Sequence, residues 1–265
     1  MPTLNIPVEG ITLGLPLSTL FAFLLVLSRV AGLAAFLPVP AMRNAPQAVR
    51  AVLAVTITFA LFPVWPQLAN RLPGFGELAV LAFAEAGFGL AAGVAVNLLT
   101  EGFQLSAQLI GLQAGYGYAT TIDPNSQADA GILQVVTMLV TGLLLFMFGI
   151  DRELFRILAA SFEKFPAGSW ALSAASADGI VKLGAGMFSL GLRMAMPIMA
   201  LLLMIDIALA ALGRMQQQLQ LLSLAFPLKM LTALGLMAVL APTFARVFES
   251  ASAATLGALW KSVGF

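Results

Sequence analysis

The chain contains no cysteine and no histidine among its 265 residues. Their absence excludes disulfides, thiolate and imidazole metal ligands, cysteine nucleophiles and histidine acid/base chemistry. Charge is also scarce, because Asp, Glu, Lys and Arg make up 9% of the residues, against about a quarter in soluble proteins.

With a net charge of +1 and scattered basic residues, the chain lacks the basic surface that nucleic acid requires. No phosphate-binding G-x-x-x-x-G-K-[ST] motif occurs, so we predict no catalytic residues, no cofactor, no metal and no nucleic-acid partner.

Hydrophobic residues are abundant instead, at 60% of the chain with a mean hydropathy of +0.99. Crossing a hydrocarbon core takes roughly 20 apolar residues in helical form. Six hydrophobic runs are visible, at residues 10–37, 51–70, 78–99, 130–150, 181–212 and 219–240. The pattern predicts an all-α polytopic membrane protein of about six hydrophobic helices. An amphipathic segment, 152–164, and a polar-flanked tail, 243–262, complete the chain, and no basic residue precedes Ser28 as a signal peptide would require.

Charged residues interrupt several of these runs. Insertion scales put the cost of a lipid-facing charge at mid-helix at about 2.5 to 3.5 kcal/mol. We therefore expect such side chains to point inward, to pair, or to face partner subunits. The alternatives are a polar conduit or subunit interface on one side, and internal ion pairs or snorkelling on the other. The residues concerned are Arg29, Glu85, Arg193, Asp206 and Lys229, and three basic and two acidic groups do not pair out within one chain.

Glycines in the third run form a G-x-x-x-G pattern. Gly89 and Gly93 carry it, with Gly87 beside them. Such spacing lets two helix backbones approach closely. Ordinary tight packing without a specific partner is the alternative interpretation.

A polar, glycine-rich segment, GLQAGYGYATTIDPNSQADAG at 111–131, lies between two apolar runs. Its GYG resembles a potassium filter, but Gln113 and Ala114 precede it where that filter has Thr and Val. A calcium loop starting at Asp123 would need Gly and Glu where Ala128 and Gln134 stand. Irregular backbone at membrane depth is tolerated where it is buried in protein or lines an aqueous path. The segment is therefore expected to be such a loop or an ordinary surface loop.

A set of motifs, taken together and in this order, resembles the FliR family of flagellar export-gate proteins. In chain order, the motifs are Arg29, PVP at 38–40, FAEAGFGLAAG at 83–93, GLQAGYGYATTIDP at 111–124, SFEKFP at 161–166, MP at 196–197 and RMQQQLQLLSLAFPLKM at 214–230. The virulence-type relatives of the same secretion machinery are similar. The resemblance covers nearly the whole chain.

This resemblance implies a non-catalytic core subunit of the flagellar type III export gate, in the basal body and the bacterial inner membrane. Such a subunit assembles with FliP and FliQ, contacts FlhB and passes unfolded export substrates. It implies one export-gate domain, 1–265, whose residues 1–175 imitate FliP and 176–265 imitate FliQ. The family places both termini in the periplasm, whereas the Lys and Arg distribution alone places them in the cytoplasm.

The resemblance also assigns residues to roles. Segment 111–123 resembles a pore plug, with site residues Gly111, Gln113, Gly115, Tyr116, Gly117, Tyr118, Asp123 and Pro124. The predicted partner-contact loop comprises Arg214, Gln218, Gln220, Phe226 and Pro227. Gln217 and Gln220 stand where the family has Pro and Asn, which leaves the FlhB contact open. The alternatives are a virulence-type export subunit and an autonomous transporter whose Glu85 and Asp206 bind protons or cations.

Overall fold

Seven α-helices make up most of the computed structural model, which describes residues 3–8, 11–37, 46–66, 74–116, 131–166, 170, 174–215 and 221–263. They are α1 (Leu17–Ala35), α2 (Gln47–Ala60), α3 (Phe75–Ala114), α4 (Ile132–Met147), α5 (Ile150–Lys164), α6 (Ala174–Met215) and α7 (Leu221–Val263). A 3₁₀ turn, Phe62–Val64, follows α2. The predicted helical class is confirmed, since the six hydrophobic runs correspond to α1, α2, α3, α4, α6 and α7 and the amphipathic segment to α5.

A β-hairpin precedes α1 and corrects the predicted start of the first helix. Strand β1 (Thr3–Val8) pairs antiparallel with β2 (Ile11–Pro16), and Thr3 lies opposite Pro16. The hydropathy pattern alone predicts a helix from residue 10. Pro16, at φ −61° and ψ 131°, explains the difference, because proline cannot continue a helix toward its N-terminus and keeps the preceding residue extended.

Within the described residues, four helical segments are long and apolar enough to cross a membrane: Leu17–Ala35, Phe75–Ala114, Ala177–Arg214 and Ala225–Lys261. Helices α4 and α5 pass the same test only as a pair, with a bend of 60° between them, so they have the form of either a broken span or a re-entrant loop. The bend lies at Gly149, whose φ is 67°. Helix α2 is shorter than the predicted run 51–70, because Pro63 and Pro66 follow it closely and end the helical pattern at Ala60.

Contacts divide the chain into two compact units, each discontinuous in sequence. The first unit contains Met1–Asn97, Gly149–Val181 and Ala254–Phe265. The second contains Leu98–Phe148 and Lys182–Ala253. Helices α3, α6 and α7 therefore contribute to both units. This division follows contacts and differs from the FliP-like and FliQ-like parts that meet at residue 175, which stay a prediction.

Helices α1 and α3 approach each other closely in the first unit. A Cβ added to Gly89 would overlap the carbonyl oxygen of Arg29, and one added to Gly93 would lie 2.8 Å from that of Leu33. On α1, a Cβ at Gly32 would overlap the carbonyl oxygen of Ala86. The G-x-x-x-G pattern therefore forms a close helix contact within the chain.

The core of the second unit joins four helices. Its buried residues are Ala107, Ile110 and Ala114 on α3, Leu133 on α4, Ala195, Ile198 and Leu202 on α6, and Ala233 on α7. Most of the apolar surface of α6 and α7 nevertheless stays uncovered. Their most apolar stretches are 17% and 11% buried, against 50% in α1. Lipid or other chains must cover the remainder in a membrane.

Candidate functional site

The C-terminal end of α3 reaches into the predicted plug segment. Residues 111–114 were expected to belong to a loop, but Gly111 and Gln113 lie in the last turns of the helix. Gly115 then adopts a φ of 86°, and the N–H groups of Gly115 and Tyr116 donate to the carbonyl oxygen of Gly111 at 3.1 and 3.0 Å. A left-handed residue at this position favours glycine and ends the helix by satisfying its last carbonyl groups.

Two contacts join this helix end to α7. A Cβ on Gly115 would lie 2.5 Å from Cδ1 of Phe226, so the ring packs directly against the glycine backbone. The Tyr116 hydroxyl donates to the carbonyl oxygen of Met230 at 3.0 Å. Burial raises the pKa of the Tyr116 phenol above its ordinary value. A phenol is already protonated at neutral pH at its ordinary pKa, so the hydroxyl is a donor there with or without the shift.

A polar triad lies nearby in the same unit and joins α3, α6 and α7. The Lys229 ammonium contacts both oxygens of Asp206, at 2.8 and 3.0 Å, and the Gln113 amide donates to Asp206 at 3.1 Å. The Lys229 side chain is 12% exposed and that of Asp206 is 37% exposed. Charge-assisted hydrogen bonds between partly buried groups are the stronger kind, so the triad fixes the three helices in register.

These contacts form one location, which we name the anchor site: Gln113, Gly115, Tyr116, Asp206, Phe226, Lys229 and Met230. Six of these residues were predicted from the sequence in three separate groups, namely plug, intramembrane charge and partner loop. The sequence did not predict that these six residues lie together. Met230 was not predicted, because it contributes a backbone carbonyl that no sequence signal marks. Within the residues that the structure describes, no three acidic groups come together as a metal site would require.

The other predicted plug and loop residues are distributed differently. Gly111 is buried beside Leu133, Pro227 lies inside α7, and Arg214 is exposed in the last turn of α6. Six predicted residues lie outside the described part of the chain: Gly117, Tyr118, Asp123, Pro124, Gln218 and Gln220.

Arg29 forms a second polar cluster, fully buried in the first unit. Its Nε pairs with Glu85, and its other nitrogens donate to Ser161 Oγ at 2.7 Å and to the Phe165 carbonyl at 3.2 Å. The guanidinium also lies 4.7 Å from the Phe88 ring centroid and 4.1 Å from that of Phe162. The N–H groups at the edge of the guanidinium are therefore hydrogen-bonded, and aromatic rings lie over its planar faces. The sequence marked Arg29, Glu85 and the SFEKFP motif without connecting them.

Arg193 differs from the other four intramembrane charges. Its side chain is exposed on α6, and no described residue forms an ion pair with it. The two acidic residues are each engaged by one of the other basic residues, so Arg193 is the surplus cation. As subunit-interface residues, all five stay a prediction.

Comparison with known proteins gives consistent matches over most of the chain. The family described as bacterial export proteins, family 1, matches residues 20–255. The flagellar biosynthetic protein FliR of Escherichia coli K12 is 33% identical over 224 residues, which cover 84% of this chain and 85% of that protein. The FliR proteins of Pectobacterium carotovorum (29% identity; 82% and 84% covered) and Bacillus subtilis (26%; 78% and 81%) are also similar. This chain belongs to the FliR family of bacterial export proteins.

Proposed function

We propose that this chain is a non-catalytic core subunit of the flagellar export gate and that residues 111–123 plug its protein-conducting pore. The gate would lie in the inner membrane at the flagellar basal body, where unfolded substrates pass. Family membership and the membrane-length helices support a membrane component of the flagellar export apparatus. The relatives are named as flagellar proteins, which favours the flagellar over the virulence-type system.

The observation that carries the plug proposal is the anchor site. A plug needs a fixed root, so that it returns to the same place, and a soft body that substrates can displace. The anchor site would supply this root, because Gly115 and Tyr116 are held by α7 and Gln113 is held by Asp206. The polar segment 117–130, which begins with Gly117 and has no Lys or Arg, follows immediately, and its composition suits a soft body.

The partners in this proposal are FliP-like, FliQ-like and FlhB-like subunits. Exposed apolar faces on α6 and α7 support contacts with other membrane helices, since those helices bury little of their surface within the chain. The division into a FliP-like part, 1–175, and a FliQ-like part, 176–265, belongs to the same proposal. Arg214, exposed at the end of α6, is the described part of the proposed FlhB-contact loop.

Two deletions of equal length test the plug. Removing residues 117–122 takes out the Gly-Tyr part of the segment, whereas removing 125–130 shortens its remainder. Neither deletion removes a residue of the anchor site. We expect the 117–122 deletion to make the assembled, resting gate conduct small ions, because the soft body no longer fills the lumen. Conductance is measured on purified complexes in planar bilayers, after assembly has been verified by size-exclusion chromatography.

The control deletion, 125–130, is expected to conduct no more than the unaltered gate. If the two deletions conduct alike, or neither conducts, residues 111–123 are not the plug. Coupled solute uptake by the purified monomer alone in liposomes would instead support the autonomous transporter and contradict a gate subunit.

A further inference from the structure

The surplus cation on α6 stands alone on a long apolar surface. No charged residue occurs between Lys182 and Arg193 or between Arg193 and Asp206. The apolar span runs from Ala177 to Arg214, so roughly 24 Å of helix precede Arg193 and roughly 31 Å follow it at 1.5 Å per residue. A lone guanidinium facing lipid at such a position costs about 2.5 to 3.5 kcal/mol. The chain itself offers no described carboxylate to offset this cost.

The surface around Arg193 admits another helix at short distance. Gly186, Ser189, Pro197 and Ala200 follow the spacing that places them on the same side of α6, and all four are at least partly exposed. A Cβ added to Gly186 would meet nothing within 4 Å. Small side chains on both sides of the cation let a neighbouring backbone come near it. We name these four residues and Arg193 the Arg193 face.

We propose that the Arg193 face is the docking surface for a transmembrane helix of another subunit that presents an aspartate or glutamate to Arg193. A helix is required because a lipid-exposed backbone must satisfy its own hydrogen bonds. A carboxylate is required because it accepts two parallel hydrogen bonds from the guanidinium fork and neutralises its charge.

A second copy of this chain does not meet these requirements. A two-fold contact through the Arg193 face would bring two Arg193 side chains toward each other, and like charges repel. The carboxylate that follows Arg193 on the same helix is also engaged, because Asp206 is held by Lys229 and Gln113. A two-fold contact is therefore unfavourable, and the partner in this proposal is a different chain. This inference rests on the membrane placement in the proposed function and is independent of the plug.

Removing the Arg193 charge should change the recovery of the assembled complex in opposite directions, depending on whether Arg193 faces lipid or a partner carboxylate. If Arg193 faces lipid, Arg193→Met lowers the free energy of placing this side chain in the membrane. Recovery of the complex would then stay equal or rise. With a partner carboxylate, the same change leaves that group buried and unpaired, and we expect recovery of the assembled gate to fall about tenfold or more. Recovery is measured by affinity isolation of the complex from membranes.

Two controls separate this effect from misfolding and from general changes on α6. Arg193→Met should leave the yield and melting temperature of the isolated chain in detergent unchanged, because Arg193 holds no described residue. Phe188→Met exchanges one apolar side chain for another at a 61% exposed position outside the Arg193 face and removes no charge, so recovery should fall far less than in Arg193→Met. Equal loss in both variants, or a destabilised isolated chain, would overturn the proposal.

Charge reversal identifies the partner group. Arg193→Glu should abolish assembly, and replacing the contacting aspartate or glutamate of the partner subunit by arginine should restore it. The position to reverse is found by photocrosslinking from Ala200. Normal recovery with Arg193→Met, or a crosslinked helix that has no acidic residue at that depth, would show that lipid headgroups or water receive the guanidinium instead. Such a result would leave the plug deletions, which measure conductance, unaffected.

Discussion

Among single residues, Gly115 is constrained twice, by its backbone and by its neighbour. Its φ of 86° disfavours any side chain, and Phe226 occupies the space that a Cβ would fill. The helix end at the anchor site therefore depends on the absence of one methyl group. Gly149 provides a matched comparison, since its φ is 67° but a Cβ there would meet nothing within 4 Å.

We predict that Gly115→Ala destabilises the protein more than Gly149→Ala. The left-handed backbone costs about 1 to 2 kcal/mol in both variants, and overpacking against Phe226 adds about 1 to 3 kcal/mol in Gly115→Ala alone. Thermal unfolding in detergent measures the difference, and Phe226→Leu should relieve part of it. Equal melting temperatures for the two alanine variants would contradict the contact.

Arg29 and Glu85 show how far residue-level reasoning extends. Their position inside apolar runs was enough to mark them, because a lipid-facing charge is costly. Their partners were out of reach, because Ser161 lies 132 residues from Arg29 and serine carries no signal of such a role. The buried ion pair determines what removal of the Glu85 charge would do. Loss of Glu85 would leave a buried guanidinium unpaired within one unit, so folding of the chain is affected before assembly.

Between helices, the crossing of α1 and α3 depends on glycine. Backbone atoms of one helix occupy the places where side chains of the other would begin. Gly76 lies on the same helix α3, and a Cβ added there would meet nothing within 4 Å. Substitutions at Gly89 and at Gly76 therefore distinguish the effect of the helix crossing from the effect of helix propensity.

We predict that Gly89→Ala loosens the first unit, whereas Gly76→Ala leaves it unchanged or slightly more stable. Forcing a methyl group into the α1 contact should cost about 1 to 3 kcal/mol, while an exposed Gly→Ala in a helix gains up to about 1 kcal/mol. Melting temperatures and hydrogen exchange of the α1 amides test this. A neutral Gly89→Ala would mean that the helices separate without cost.

Hydropathy predicted which segments are helices far better than where they end. The ends are decided by local chemistry, by Pro16 before α1 and by Gly115 after α3. Helix α3 continues beyond the apolar run at residue 99 because its polar residues, such as Glu101 and Gln104, are good helix formers. The predicted tail 243–262 likewise belongs to α7, which continues through Pro242.

Over the full chain, the two units are built from interleaved segments. Residues 1–175 supply Ala107, Ile110, Ala114 and Leu133 to the second core, but its α6 and α7 residues lie beyond that point. Sequence patterns mark helix faces and not their partners, so this interleaving was not predictable from periodicity.

We predict that residues 1–175 do not form a stable fragment alone and become protease-resistant when residues 176–265 are co-expressed. Without the second piece, the apolar faces of α3 and α4 lose their cover. Limited proteolysis and co-purification of the two pieces from membranes provide the measurement. Full resistance of the first piece by itself would show that it needs nothing from α6 and α7.

The Arg29 cluster also has a consequence for biosynthesis. Glu85 is 56 residues further along the chain, so at about 5 to 20 residues per second it leaves the ribosome roughly 3 to 11 s after Arg29. During that interval the first apolar helix carries an uncompensated cation. Its release into lipid is thus expected to wait at the insertion machinery until α3 arrives, so that both helices leave the translocon as a pair.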